Sequence, residues 1–186
     1  CNPAGDADGD GISNEVENAG PNGGDANNDG VLDYVQGRVS TLLDSVSAKY
    51  QVVETDCIEN SDVDSSIESG SSIDRGFDYP AGLTSFITHC PFSGYTANVK
   101  LYYYGSYNPS ELALRKYNPT SGAYTAVTSA VFSTQTISGQ PVMLVQYSIT
   151  DGGEYDLDGL ANGDIADPVG LAKAVVGAPN TGIKPN

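Results

Sequence analysis

The stretch DADGDGISNEVENAGPNGGDANNDGVLDYVQ, Asp6 to Gln36, holds eight acidic residues and neither Lys nor Arg. Like charge at that density repels itself and keeps a segment unfolded unless opposite charge is supplied. The rest of the chain cannot supply it. Eight Lys and Arg stand against 24 Asp and Glu, for a formal net charge of −16. A fold that includes this segment therefore needs cations from solution, and the order of the residues indicates where they bind.

Calcium loops of twelve residues place side-chain oxygens at positions 1, 3, 5, 9 and 12, a carbonyl at 7 and a sharp turn at 6. Asp6, Asp8 and Asp10 fill positions 1, 3 and 5, Gly11 the turn, Ile12 the carbonyl position, Asn14 position 9 and Glu17 position 12. Nineteen residues on, the pattern recurs as Asp25, Asn27, Asp29, Gly30, Val31, Asp33 and Gln36. Gln36 departs from it, because a neutral amide does not replace a bidentate carboxylate. The second site is expected to bind more weakly or to borrow a ligand. Magnesium demands a stiff octahedral shell with several waters, so the pattern favours calcium. A third acidic stretch, Asp151 to Pro168, carries Asp156, Asp158, Asn162, Asp164 and Asp167 among glycines but does not fit the template. It reads as a non-standard third cation site or as a glycine-rich surface loop. Two or three calcium ions are thus expected.

Acidic charge is concentrated on either side of the middle of the chain. Between Tyr79 and Thr150 the only acidic residue is Glu111. This middle is rich in Tyr and β-branched residues, and the runs 49–55, 83–90, 97–105, 111–118, 123–129 and 141–150 read as strands separated by turn clusters. In ANVKLYYY, Val99, Leu101 and Tyr103 share one face. Several short strands at this spacing predict an antiparallel β-sandwich. One short helix is expected over Val31–Leu43, weakened by Gly37. Residues 1–45 read as a tandem calcium-loop segment, 46–170 as the sandwich closed by the acidic loop, and 171–186 as a flexible tail.

The acidity argues against nucleic acid or an anionic membrane surface as partners, and no run reaches the roughly 20 apolar residues of a membrane span. Without an initiator Met or a signal peptide, the sequence reads as a mature or excised piece of a longer product. Cys57 and Cys90 would pair in an exported protein. Closing that loop of about 34 residues would stabilise the fold by roughly 3–4 kcal/mol. Cys1 is left over, for a partner elsewhere or for lipid modification. His89, the single His, adjoins Cys90, but strand neighbours point to opposite faces, so a catalytic pair is not expected. No catalytic constellation emerges, and the chain reads as non-enzymatic. The tyrosines of LYYYGSY, Leu101–Tyr107, offer either packing or a carbohydrate-stacking platform.

The tandem acidic loops resemble thrombospondin type 3 calcium repeats. Together with VVETDC, FDYPAGLTSFIT and DLDGLANGDIADPVG, they resemble the bacterial choice-of-anchor U domain family over about residues 6–170. The resemblance implies a secreted, non-enzymatic β-rich module placed just before a C-terminal surface-sorting signal. Pro179, Asn180, Thr181 and Gly182 are similar to the LPxTG sortase signal, with Ala178 where Leu is usual. The expected role is a calcium-stabilised stalk or spacer on the bacterial cell surface. The rivals are a self-associating fibre or pilin-like subunit and a carbohydrate-binding adhesin. Expected partners are neighbouring protein subunits or glycans.

Overall fold

The computed structural model describes residues 5–69 and 73–175. Cys1 and the Pro179–Gly182 motif lie outside them. Two short helical segments, α1 (Asn14–Asn18) and α2 (Pro21–Gly24), precede eleven strands. These are β1 (Val39–Leu43), β2 (Tyr50–Thr55), β3 (Glu59–Ser66), β4 (Phe77–Asp78), β5 (Leu83–His89), β6 (Thr96–Tyr104), β7 (Leu112–Asn118), β8 (Ala123–Ala126), β9 (Val131–Ile137), β10 (Gln140–Thr150) and β11 (Asp164–Ala174). One antiparallel sheet runs β1-β2-β6-β10-β9. The other runs β3-β5-β11-β7-β8, with β4 also on β11. No helix among the described residues is long and apolar enough to cross a membrane.

The sheets pack face to face as alternation requires. Val53, Val99, Leu101, Tyr103, Met143, Val145 and Ile149 of the first sheet meet Val63, Phe86, Leu114, Ile165, Val169 and Leu171 of the second in one buried cluster. The expected common face of Val99, Leu101 and Tyr103 is this inner face. The outer face of the first sheet is not solvated either. Val39, Val52, Tyr102, Tyr104, Val142 and Leu144 form a second cluster capped by Ala26 of the second acidic loop. The acidic segment is thus packed onto the sandwich rather than strung ahead of it.

Two readings are corrected by these contacts. The expected helix over Val31–Leu43 is a single 3-10 turn, Asp33–Val35, followed by β1. Val31 and Val35 are exposed, and Val39 and Leu42 enter different clusters. Apolar spacing that fits a helical face here belongs to a loop and to a two-sided strand, whose β-branched Val39 and Thr41 favour extension. The tyrosine platform also fails, because Tyr102, Tyr103 and Tyr104 are all buried. The Tyr102 hydroxyl donates to Glu54 Oε2 at 2.6 Å and the Tyr104 hydroxyl to the Ala26 carbonyl at 2.6 Å. The expected disulfide is present, with Cys57 and Cys90 joined at a Cα–Cα distance of 4.5 Å.

Candidate metal centre

The two acidic loops share most of their turn hydrogen bonds. At position 1, Asp6 accepts from the Gly9 and Gly11 amides at 2.7 and 3.1 Å. Asp25 accepts from the Asp29 and Gly30 amides at 2.9 and 3.1 Å. At position 5, Asp10 Oδ1 accepts from the Ile12 amide at 2.7 Å, and Asp29 Oδ1 from the Val31 amide at 2.9 Å. At position 9, Asn14 Oδ1 accepts from Ala7 N, and Asp33 Oδ2 from Ala26 N, both at 2.9 Å. Gly11 and Gly30, at position 6, have φ of +98° and +91°. That conformation strains any residue with a Cβ, which explains the glycine in both loops. Apart from the donor to position 1, Gly9 in the first loop and Asp29 one place further on in the second, these turn bonds repeat, which argues for one design used twice.

In the first loop, ligand-type oxygens of Asp6, Asp8 and Asp10 lie within 4.8 Å of one another. Glu17 reaches inward from α1, whose N-cap Ser13 accepts from the Val16 amide. Asp10 and Glu17 are fully buried. Both Asp8 oxygens, Asp10 Oδ2, Glu17 Oε2 and Asp33 Oδ1 are shielded from solvent and have no hydrogen-bond partner. Buried carboxylate oxygens without donors are costly unless a cation meets them. The titration behaviour agrees. Burial pushes the Glu17 carboxyl up to about 9, with Asp10 and Asp8 adding to the effect. Burial together with Asp10 pushes Asp8 up to about 7, and burial pushes Asp33 up to about 6. At neutral pH Glu17 therefore holds a proton unless an ion replaces it. The donor set is all oxygen and rich in carboxylate, which fits a hard divalent cation such as calcium. Asp6, Asp8, Asp10, Glu17 and the Ile12 carbonyl are the groups suited to hold it, with Asn14 bracing the loop.

The second loop is assembled differently at its end. The Gln36 amide donates to Asp29 Oδ1 at 3.2 Å and to the Val31 carbonyl at 3.3 Å. Asn27 also donates to Asp29 Oδ2 at 3.2 Å. Side-chain amides thus satisfy oxygens that an ion would otherwise draw on, while Asp25 and the buried Asp33 complete the set.

Strand β1 and a bulge in β3 tie both loops to the sandwich. The Thr41 amide donates to Glu17 Oε1 at 3.4 Å, and its hydroxyl to Asp33 Oδ2 at 2.5 Å. The β3–β5 register shifts between Ser61 and Asp64, and Val63 N donates to the Asp10 carbonyl at 3.1 Å. Thr41 and Val63 were not legible as site residues, because Thr41 meets Glu17 across 24 residues and Val63 meets Asp10 across a still longer stretch.

The third stretch does not converge on an ion. Asp156 accepts from the Gly152 and Ala166 amides at 2.8 and 3.1 Å. Asp158 accepts from the Leu160 amide and the Asn162 side chain. Asp164 pairs with His89 Nδ1 at 2.7 Å. Asp167 is buried against Lys116 and Tyr147. Asp151, absent from the expected ligands, is the staple of this loop: its carboxylate accepts from the Gly94, Asn162 and Gly163 amides. These acids organise backbone and strands.

His89 sits on the outer face of the second sheet, and its Nε2 lies 2.8 Å from Ser61 Oγ. Ser61, His89 and Asp164 therefore form a hydrogen-bonded chain in the order of a nucleophile relay. Glu59, the cross-strand partner of His89, and Asp62 and Asp64 beside Ser61 add negative charge there. Acyl transfer needs donors and positive potential at the developing oxyanion, the opposite of this field.

No protein-family model matches the chain, and no curated protein and no solved structure matches it.

Proposed function

We propose that this chain is a calcium-stabilised, non-enzymatic extracellular module of a bacterial surface protein, acting as a stalk or spacer that carries other segments away from the cell. The observation that carries the calcium reading is the first loop: three aspartates within 4.8 Å of one another, with the unpartnered oxygen of the fully buried Glu17 in the same segment. The disulfide supports an oxidising compartment. The resemblance of the tandem loops and the closing DGLANGDIADP motif to the choice-of-anchor U family supports the bacterial surface. Its sorting motif falls on residues outside the described structure.

Extracellular loops of this type bind calcium with dissociation constants of about 10⁻⁴–10⁻³ M. A site of about 10⁻⁴ M adds about 1.4 kcal/mol to folding at about 1 mM free calcium. The ion then acts as a structural part supplied by the external medium. Calorimetric titration of the metal-free chain, with melting and limited proteolysis in calcium and in chelator, tests this. Calcium should raise the melting temperature and protect residues 6–36. Identical melting curves and digestion patterns in both conditions would overturn it. Buried tyrosines disfavour the adhesin alternative, and sedimentation of the purified chain separates a spacer from a self-associating fibre.

A further inference from the structure

We infer that Lys116 and Asp167 condense to an intramolecular isopeptide bond that covalently staples β7 to β11 inside the sandwich. This goes beyond the calcium reading and does not depend on it. Lys116 shares the inner face of β7 with Leu114, and Asp167 shares that of β11 with Ile165 and Val169. Lys116 pairs across the ladder with Val169, so Asp167 is its diagonal neighbour. Lys116 Nζ is in direct contact with Asp167 Oδ1, and the two side chains are 8% and 0% exposed. Tyr147, from the facing sheet, donates its hydroxyl to Asp167 Oδ2 at 2.7 Å.

The chemistry follows from this placement. A lysine buried among apolar side chains loses its hydration and becomes easier to deprotonate. Burial lowers the Lys116 pKa, opposed by the charges of Asp167 and Asp156. Attack requires the free amine, so one proton passes from Nζ to Asp167 Oδ1 and leaves a neutral amine beside a neutral acid. The Nζ lone pair attacks Cγ, and the C=O π electrons move onto Oδ2, where the Tyr147 hydroxyl stabilises them. As the carbonyl re-forms, the Cγ–Oδ1 bond breaks. Oδ1 leaves as water, carrying its proton and one from the nitrogen. One ammonium and one carboxylate thus become one secondary amide and one water, with no oxidant or cofactor. Holding the two groups in contact supplies the high effective concentration this step needs. A cleft lined by Lys116, Tyr155, Asp156 and Pro168 opens beside the pair and gives the water an exit. Two buried charges are replaced by a neutral amide whose oxygen keeps the Tyr147 bond.

Mass spectrometry of the reduced, intact chain tests the proposal without relying on any variant. The expected mass is lighter than the sequence by one water. Trypsin should leave the bond after Lys116 uncut and release one peptide covering residues 116–173, also one water light. A full sequence mass overturns the proposal. So does a water-light mass in which trypsin cuts after Lys116, since the loss then lies elsewhere. Lys116→Met must show its own full mass. Asp167→Asn supplies a second check: its amide loses ammonia on condensation, so its product should have the wild-type mass. A persistent deficit in Lys116→Met overturns the assignment.

Discussion

Glu17 and Gln36 occupy the same position in two loops of the same construction, yet Glu17 is buried with an unpartnered oxygen while the Gln36 amide donates to Asp29 Oδ1 and the Val31 carbonyl. An amide N–H in that place is a weak stand-in for a cation. Gln36→Glu removes the donor and supplies a carboxylate. It should tighten the second site about tenfold, about 1.4 kcal/mol, and leave the first unchanged. Asp10→Ala, which takes a charged ligand from the first loop, should weaken calcium binding more than Gln36→Ala does. Calorimetric titration of the three variants checks both. Equal affinities in wild type and Gln36→Glu would mean that position 12 of the second loop does not face an ion.

Without calcium, the buried acids set an unusual pH dependence. Glu17 rises from 4.5 to about 9 on folding, Asp8 from 3.8 to about 7 and Asp33 from 3.8 to about 6. Each then binds more protons in the folded than in the unfolded state between its two values, so stability falls as pH rises through that window. In chelator the melting temperature should decline from about pH 4 to about pH 9. Saturating calcium holds the same groups ionised, so their folded values drop and stability is instead lost as the solution is acidified. Melting at pH 5 and pH 8, with and without calcium, should show opposite slopes. Parallel slopes would refute the account.

The strands legible in the sequence are those with one clear apolar face or a continuous apolar run: β2, β5, β6, β7, β8 and β10. The two-layer sandwich followed from them. β3 was hidden because ENSDVDSS is a polar edge strand broken by a bulge. β11 was hidden because its Asp164, Asp167, Pro168 and Gly170 look like loop chemistry. Pro168 is tolerated because it pairs with Ser85 on one side, while β7 joins β11 only from Val169 onward. The first two loops were legible because the acids and the turn glycine of each are local in sequence. The fate of the third could not be read there, since Lys116, Tyr147, His89 and Gly94 reach its acids across 20 residues or more.

The Ser61–His89–Asp164 chain invites a test for hydrolase activity. Its acidic surroundings predict that activated esters are turned over no faster by the wild type than by Ser61→Ala. His89→Ala removes two outer-face hydrogen bonds and should cost about 1–2 kcal/mol, seen as a modest fall in melting temperature. Ester hydrolysis abolished by both substitutions would contradict the non-enzymatic reading.

Thr41 links both loops to the sandwich, because its amide serves Glu17 and its hydroxyl serves Asp33. Thr41→Val keeps the shape and the backbone bond to Glu17 but deletes the donor to Asp33. An acceptor on a fully buried carboxylate is then left without that partner, at a cost of about 1–3 kcal/mol. The loss should be larger in chelator than in calcium, since an ion on the second loop would offset the missing donor. By linkage the second site should then bind calcium more tightly in the variant, while the first is unchanged. Combining Thr41→Val with Glu17→Gln in a double-mutant cycle measures whether β1 couples the two. A coupling energy well above about 0.5 kcal/mol would mean that filling one loop prepares the other. Strict additivity would mean that Thr41 serves two independent sites.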